Sequence, residues 1–348
     1  MDPAQTRSAW NDSPALVFWE LTRACDLTCK HCRAEAIPDR QPGELSTEQI
    51  RECLQRLGEE TSCVVVFTGG DPFRRPDLPD LVKACDRAGL KPALTPSTTP
   101  LLTRDRLEEL QENGLMMLAL SLDGPNQEVH DDFRGEPGSF DHTMRGLEAA
   151  EHLDLPVQIN TTVCAETLPR LKDTGDLVSD YDVFRWALFF IVRTGWGSEL
   201  GNVGPEQTED VFEYLYEWGE STGIKTKTTN APHYNRWKVQ NAEGREKPGI
   251  IDGDGIVFIS HRGGIYPSGF SESGDTVCGN VREQSLLDVY RNHELFKKIR
   301  NRELVGKCGR CGYKRQCGGS RANALFETGN PLGTDPRCQY VPERNRAV

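Results

Sequence analysis

Seven of the twelve cysteines fall into two groups with the spacing of metal ligands. Cys25, Cys29 and Cys32 form C-x3-C-x2-C near the start, and Cys308, Cys311 and Cys317, spaced C-x2-C-x5-C, are followed by Cys338. Thiolates are soft ligands suited to iron–sulfur clusters or zinc, and a short loop can fold three of them around one centre. A [4Fe–4S] cluster held by three cysteines keeps one iron open for another ligand. The second group offers four thiolates, enough to close either a cluster or a zinc site, and spacing alone does not separate these two. Cys53, Cys63, Cys85, Cys164 and Cys278 are scattered and read as small buried hydrophobes.

The first group follows the apolar run Leu16-Val17-Phe18-Trp19, which reads as a buried strand, so the cysteines lie on the loop leaving its C-terminal end. Apolar runs predict strands over 16–21, 63–68, 91–95, 116–121, 157–163 and 184–191. Helical patterns lie between them at 47–58, 77–88, 104–113, 139–152 and 168–179. Ser46-Thr47-Glu48-Gln49 reads as a capping box and Ser139 as a helix start. Consecutive β–α units imply a parallel sheet with right-handed crossovers. Six units are too few for a closed eight-unit barrel. The expected fold is therefore α/β, a partial (β/α)6 barrel with a C-terminal cysteine-rich auxiliary-cluster domain.

Parallel barrels work at the C-terminal ends of their strands. The cysteine loop, Thr68-Gly69-Gly70-Asp71-Pro72, Thr95-Pro96-Ser97 and Ser121-Leu122-Asp123-Gly124 all fall on that side. The expected domains are a lead-in at 1–14, the barrel at 15–222, a connector at 223–255 and the auxiliary-cluster domain at 256–348. Within the connector, 225–229 reads as extended and 241–255 as a loop. A β-hairpin is expected over 256–267 and a single helix over 285–301. His233, Tyr234, Arg236 and Trp237, with Trp196, could grip a flat anionic substrate or simply pack in the core.

At 348 residues, 36% apolar and 27% charged, the chain reads as a soluble globular protein. A net charge of -12 argues against nucleic acid as the main partner. No apolar run is long enough for a membrane span, and the first residues lack a secretory signal, so a cytoplasmic protein without membrane attachment is expected.

C-x3-C-x2-C with an aromatic residue, His31, before its last cysteine, followed by Gly-Gly-Asp-Pro after the second strand, resembles the radical S-adenosylmethionine (SAM) superfamily. The resemblance spans nearly the whole chain. It implies that Cys25, Cys29 and Cys32 hold a [4Fe–4S] cluster whose fourth iron chelates SAM, and that the His31 ring packs on the adenine. Gly69, Gly70, Asp71 and Pro72 match the superfamily's SAM-binding motif, usually written with Glu in place of Asp71, and their backbone carbonyls would accept from the methionine ammonium. Ser121, Asp123 and Asn160 fall where superfamily members contact the ribose or methionine part. Arg134 resembles an arginine that reaches the SAM carboxylate. Such a site needs a one-electron donor such as ferredoxin or flavodoxin.

The tail resembles the SPASM/twitch extension of the same superfamily. By that resemblance Cys308, Cys311, Cys317 and Cys338 hold one auxiliary [4Fe–4S] cluster. Arg321 and Pro267-Ser268 stand where the two-cluster form has cysteines, and of the other cluster's ligands only Cys278 remains, so no second auxiliary cluster is expected. Within the superfamily the sequence resembles AdoMet-dependent haem synthases and related haem-pathway proteins. The implied function is SAM cleavage to a 5′-deoxyadenosyl radical and hydrogen abstraction from a small molecule, an iron-tetrapyrrole. The alternatives are maturation of a ribosomally made peptide and, in another class, a non-catalytic iron–sulfur electron carrier.

Overall fold

The computed structural model describes residues 10–242, 249–272 and 276–342, so lead-in residues 1–9 and part of the expected 241–255 loop lie outside the described residues. Strands β1 (Leu16–Glu20), β2 (Val64–Thr68), β3 (Lys91–Leu94), β4 (Met117–Ser121), β5 (Val157–Val163) and β6 (Arg185–Phe190) pair in sequence order, each parallel to the last. The partial parallel barrel expected from the six β–α units is thus present. Both its edges are extended. β7 (Lys225–Thr229) adds parallel to β6, and β9 (Gly255–Ile259) adds parallel to β1 on the other side. β8 (Ile251–Asp252) pairs with β9, and β10 (Gly264–Tyr266) and β11 (Gly279–Asn280) continue that edge antiparallel. One sheet therefore runs across the boundaries drawn at 222 and 256, because strand edges at both places find backbone partners.

Alternation along each strand sorts side chains between the helical layer and the barrel interior. Val17, Trp19 and Leu21 are buried in the main core, and helix Thr47–Gly58 meets that core with Ile50, Cys53, Leu54 and Leu57, spaced as one helical face. The Ser46 capping box is present, with Ser46 Oγ accepting from Gln49 N and Gln49 Oε1 from Ser46 N. Helix Ser139–His152 begins as expected but is capped differently. Gly138 is the N-cap, and Asp131 accepts from the amides of Gly138 and Phe140 and from Ser139 Oγ. The single helix expected over 285–301 is two, Leu286–Asn292 and Glu294–Arg300, broken at the extended residue His293, whose Nδ1 accepts from Leu295 N. Cys53, Cys63, Cys85 and Cys278 sit in the main core and Cys164 in a smaller one with Phe133, so all five scattered cysteines are buried hydrophobes.

Inside the barrel the last residue of β1, Glu20, is fully buried beneath the cysteine loop. Its carboxylate meets Arg33 Nη2 at 2.8 Å, His261 Nδ1 at 2.6 Å and Arg23 Nε at 3.5 Å, and Arg23 continues to Glu272 at 2.7 Å. Burial alone would raise the Glu20 pKa, but Arg33, the His261 hydrogen bond and Arg23 together hold it down to about 2. A carboxylate depressed in the folded state stabilises the fold above its unfolded pKa, and that contribution is lost as pH falls through the folded value.

Breaking a buried pair from one side leaves uncompensated charge, typically costing about 3 kcal/mol or more. Glu20→Gln should lower unfolding free energy by about that amount at pH 7, read from anaerobic denaturant midpoints. The gap to wild type should shrink as pH drops from about 4.5 towards about 2. An unchanged midpoint at pH 7 would show that the network contributes nothing.

Candidate active site and auxiliary cysteine site

The cysteine loop is seated by backbone. Gly70 N donates to Thr22 O at 2.8 Å and Asp71 N to Ala24 O at 2.7 Å, which lays the Gly69-Gly70-Asp71-Pro72 loop flat against residues 22–24. A Cβ on Gly69 would stand 2.4 Å from Thr22 O, and one on Gly70 2.5 Å from Ala24 O. Gly69 also has φ +150°. Glycine is thus required here for the approach of one loop to another, with any ligand contact left to the carbonyls. The Asp71 side chain is fully buried and faces its own loop, accepting from Phe73 N at 3.1 Å and Thr99 Oγ1 at 2.8 Å. Pro72 opens the short 3-10 turn Pro72–Arg74.

Loops after three further strands complete the seat. Ser97, beyond β3, donates to Gly70 O at 2.7 Å and lies 3.3 Å from Cys25 Sγ. Phe133 O, beyond β4, accepts from Lys30 N, and Trp196 N, beyond β6, donates to Cys32 O. Burial pushes the Cys25 thiol up to about 12 and raises that of Cys29. Sulfurs so placed become thiolates only against a compensating cation, as a bound metal supplies.

Arg134 reaches both ends of the site. Its Nη1 lies 3.7 Å from Cys29 Sγ and its Nη2 2.8 Å from Asp123 Oδ2, and both side chains are buried. Asp123 Oδ1 accepts from Thr162 N at 2.6 Å, while Asp123 N donates to His130 Nδ1 at 3.1 Å. Against the cost of burial, the Arg134 charge holds the Asp123 carboxyl below its ordinary range. The His31 ring stacks on Phe133 at 4.8 Å and 7°, so packing on an adenine would use its opposite face. His31 Nδ1 and Arg134 Nε are buried polar atoms without a hydrogen-bond partner among the described residues. Ser121 and Asn160 are register partners on β4 and β5, beside this cluster.

His130, Phe133 and Arg134 all stand on helix Gln127–Arg134, which the sequence analysis omits. Its signals are in the sequence: Asn126 caps it by accepting from Val129 N, and Gly135 ends it at φ 68°. Thr99 is absent from the sequence expectations, and Ser97 enters them only as part of the Thr95-Pro96-Ser97 loop. Their roles depend on contacts across strands and leave no local pattern.

The second cysteine group has its own frame. Cys308 and Cys317 are buried, and Gly319 N donates to Cys317 Sγ and Asp335 N to Cys308 Sγ, each at 3.3 Å. Gly319 has φ +66°, and a Cβ there would stand 3.0 Å from Cys308 Sγ. Arg321, which replaces a cysteine of the two-cluster form, is buried and donates to Gly319 O, Pro331 O and Gly333 O, with Nη2 3.7 Å from Cys308 Sγ. Arg337, beside Cys338, ties the set to the barrel by donating to Ile191 O and Asn230 O, just past β6 and β7. Both cysteine groups thus sit at the C-terminal ends of the parallel strands. Among the described residues no three cysteine sulfurs lie within 4.8 Å of one another.

The aromatic group at 233–237 borders the C-terminal cysteine site, with His233 Nδ1 3.6 Å from Asp335 Oδ2. It belongs to helix His233–Asn241, where His233 and Tyr234 pack on Phe212, Trp237 on Tyr216, and Arg236 pairs with Glu209. These residues form core and helix contacts, and the substrate-gripping reading of them is withdrawn. Trp196 lines, with Thr28, Cys29, Lys30, Glu199 and Leu200, an open cavity of about 490 Å³ beside the cysteine loop.

The radical SAM superfamily pattern matches residues 19–178, and the SPASM pattern, an iron-sulfur cluster-binding domain, matches 252–312. The chain is 37% identical to an AdoMet-dependent heme synthase of Oleidesulfovibrio alaskensis, over 98% of this chain and 92% of that one. It is 36% identical to one of Methanosarcina barkeri, over 96% and 99%. A mycofactocin maturase of Mycobacterium tuberculosis is 30% identical over 94% and 83%. Among solved structures, Streptococcus suis SuiB bound to S-adenosylmethionine superposes with a TM-score of 0.76 at 18% identity, over 94% of this chain and 78% of that one.

Two outcomes follow from the geometry. Gly70→Ala should force the loops apart and cut iron and sulfide loading of the N-terminal site, while the C-terminal site keeps its share. Full loading of both would contradict the seating argument. Arg321→Gln should lower the reduction potential of the C-terminal cluster, because the cation favours the more negative, reduced state. A hydrogen bond from a charged group is worth ~1.5 kcal/mol, or about 60 mV for a one-electron couple, within reach of an EPR-monitored titration.

Proposed function

Because the chain belongs to the radical SAM superfamily and carries its SPASM extension, we propose that it is a haem-pathway enzyme that converts propionate side chains of an iron-tetrapyrrole to vinyl groups. The observation that carries this reading is the similarity of the whole chain to AdoMet-dependent heme synthases. When bound, the two clusters and SAM supply the redox chemistry: an electron to SAM releases methionine and a 5′-deoxyadenosyl radical, and the auxiliary cluster offers a one-electron acceptor. Each propionate that reacts would give up a β-hydrogen, and then carbon dioxide and one electron, leaving the vinyl group. The electron that starts the cycle comes from a small donor protein such as ferredoxin or flavodoxin.

In this reading Cys25, Cys29 and Cys32 hold the open cluster and Cys308, Cys311, Cys317 and Cys338 the closed one. Arg134 serves the SAM carboxylate. Its ion pair with Asp123 pre-aligns the guanidinium, so little ordering is left for the moment of binding. The carbonyl side of Gly69, Gly70 and Asp71, following the geometry of Pro72, takes the methionine ammonium, while Ser121 and Asn160 face the ribose. His31 offers the adenine the ring face that Phe133 leaves open. The Asp71 side chain supports the loop through Thr99 and Phe73 N, and only its backbone faces the ligand.

The 30% identity to a mycofactocin maturase favours a second reading, in which the substrate is a peptide. A pure electron carrier is set aside, since the chain is a radical SAM enzyme. No helix among the described residues is long and apolar enough to cross a membrane.

Anaerobic enzyme with SAM, reductant and iron-coproporphyrin should form 5′-deoxyadenosine, and the porphyrin should lose two carboxyl groups by mass spectrometry. 5′-Deoxyadenosine without change to the porphyrin would retire the tetrapyrrole reading and turn attention to peptides.

A further inference from the structure

The barrel interior carries a further pair of cations, Arg185 on β6 and Lys227 on β7. Along β6 the residues Trp186 and Leu188 pack outward in the main core, Trp186 against Trp218 at 4.6 Å, so Arg185, Ala187 and Phe189 point inward. On β7, Thr226 Oγ1 lies 3.5 Å from Tyr234 OH on the outer helix, so Lys225, Lys227 and Thr229 point inward too. Register aligns Ser121, Asn160, Ala187 and Lys227 in one row across β4 to β7, with Gln158, Arg185 and Lys225 in the row behind. Arg185 and Lys227 are therefore diagonal neighbours, with their backbones about 7 Å apart. They stand on the barrel wall that Ser121 and Asn160 begin.

Three arginines around the N-terminal cysteine loop have anionic partners, while the buried Arg321 and Arg337 of the C-terminal site are satisfied by backbone carbonyls. Arg23 and Arg33 meet Glu20 and Glu272, and Arg134 meets Asp123. Arg185 and Lys227 have none: among the described residues no carboxylate pairs with either. Among the described residues Arg185 donates only to the neutral Gln158 Oε1, at 3.3 Å, and lies over the Phe184 ring, while Lys227 makes no ion pair or hydrogen bond with any of them. Gln158 in turn donates to Asn160 Oδ1 at 2.7 Å. Burial and then the Arg185 charge push the Lys227 amine down to about 8, and burial lowers Arg185 as well. Two like charges held side by side without counter-ions raise the free energy of the empty barrel, and an arriving anion relieves both.

We propose that Arg185 and Lys227 form a subsite for carboxylates of the substrate, with the planar Arg185 fork taking one and the Lys227 point charge another. This deepens the tetrapyrrole reading and rests on it for the identity of the substrate. A reaction that removes some propionates as carbon dioxide cannot use those groups as lasting anchors. The subsite therefore holds the propionates that survive in the product, and fixes which side chains turn towards the SAM-binding row.

The test uses reconstituted holoenzyme and the variants Lys227→Met, Lys227→Arg and Arg185→Gln, each first matched to wild type in iron and sulfide content. Iron-coproporphyrin binding is followed by absorbance, and binding of benzene-1,2,4,5-tetracarboxylate by calorimetry. Loss of one charged contact should weaken porphyrin binding by about tenfold or more in Lys227→Met and in Arg185→Gln, with Lys227→Arg restoring most of it. Equal porphyrin affinity in all variants overturns the subsite and leaves the tetrapyrrole reading intact. If wild type ignores the porphyrin yet binds the tetracarboxylate in a Lys227-dependent way, the subsite stands and the tetrapyrrole reading falls. Wild type binding neither probe overturns the subsite.

Discussion

The contact of Gly69 and Gly70 with the backbone of residues 22–24 is what the active site hangs on. Two amides, from Gly70 and Asp71, are donated across it, and no side chain intervenes. Because carbonyl oxygens of Thr22 and Ala24 occupy the space of the missing Cβ atoms, the loop after β2 fixes the height at which the chain leaves β1 for its cysteines. Asp71 locks the arrangement by reaching Thr99, and Ser97 extends it to Cys25. A rigid strand end carries each member, so thiolates on an irregular loop inherit the precision of the sheet.

Charge is handled differently at the two cysteine sites. The N-terminal site pairs Arg134 with Asp123 beside Cys29, so its guanidinium charge is neutralised by a buried carboxylate. The C-terminal site sets Arg321 against Cys308 and satisfies the rest of its guanidinium with carbonyls, with the Asp252 carboxyl also within reach of its charge. Arg337 anchors the second site on the loops after β6 and β7, at the same end of the sheet as the first.

Sequence reading recovers much of this, for reasons that can be named. The strands β1 to β6 are short apolar runs bounded by turns, and parallel pairing follows from the helices between them, so their bounds agree within a residue or so. Helix Gln127–Arg134 was passed over because its polar residues outnumber its apolar ones and its buried positions include His130 and Arg134. The boundaries at 222 and 256 were placed where composition changes, yet hydrogen bonding of β7 and β9 to the barrel edges ignores composition. The aromatic run at 233–237 invited a ligand reading because the sequence does not say which side of a sheet a helix covers.

The sequence by itself determined the two cysteine groups, their difference of one thiol and the superfamily, because these depend on residue type and local spacing. It also determined the barrel's order of strands, since apolar period and connection length leave few topologies. Tertiary structure alone decided why both glycines are needed, what Arg134 and Arg321 face, and that Arg185 and Lys227 share a wall without a counter-ion. Each of these is a meeting of atoms far apart in the chain. Such meetings are set by strand register and loop closure, which no local pattern encodes.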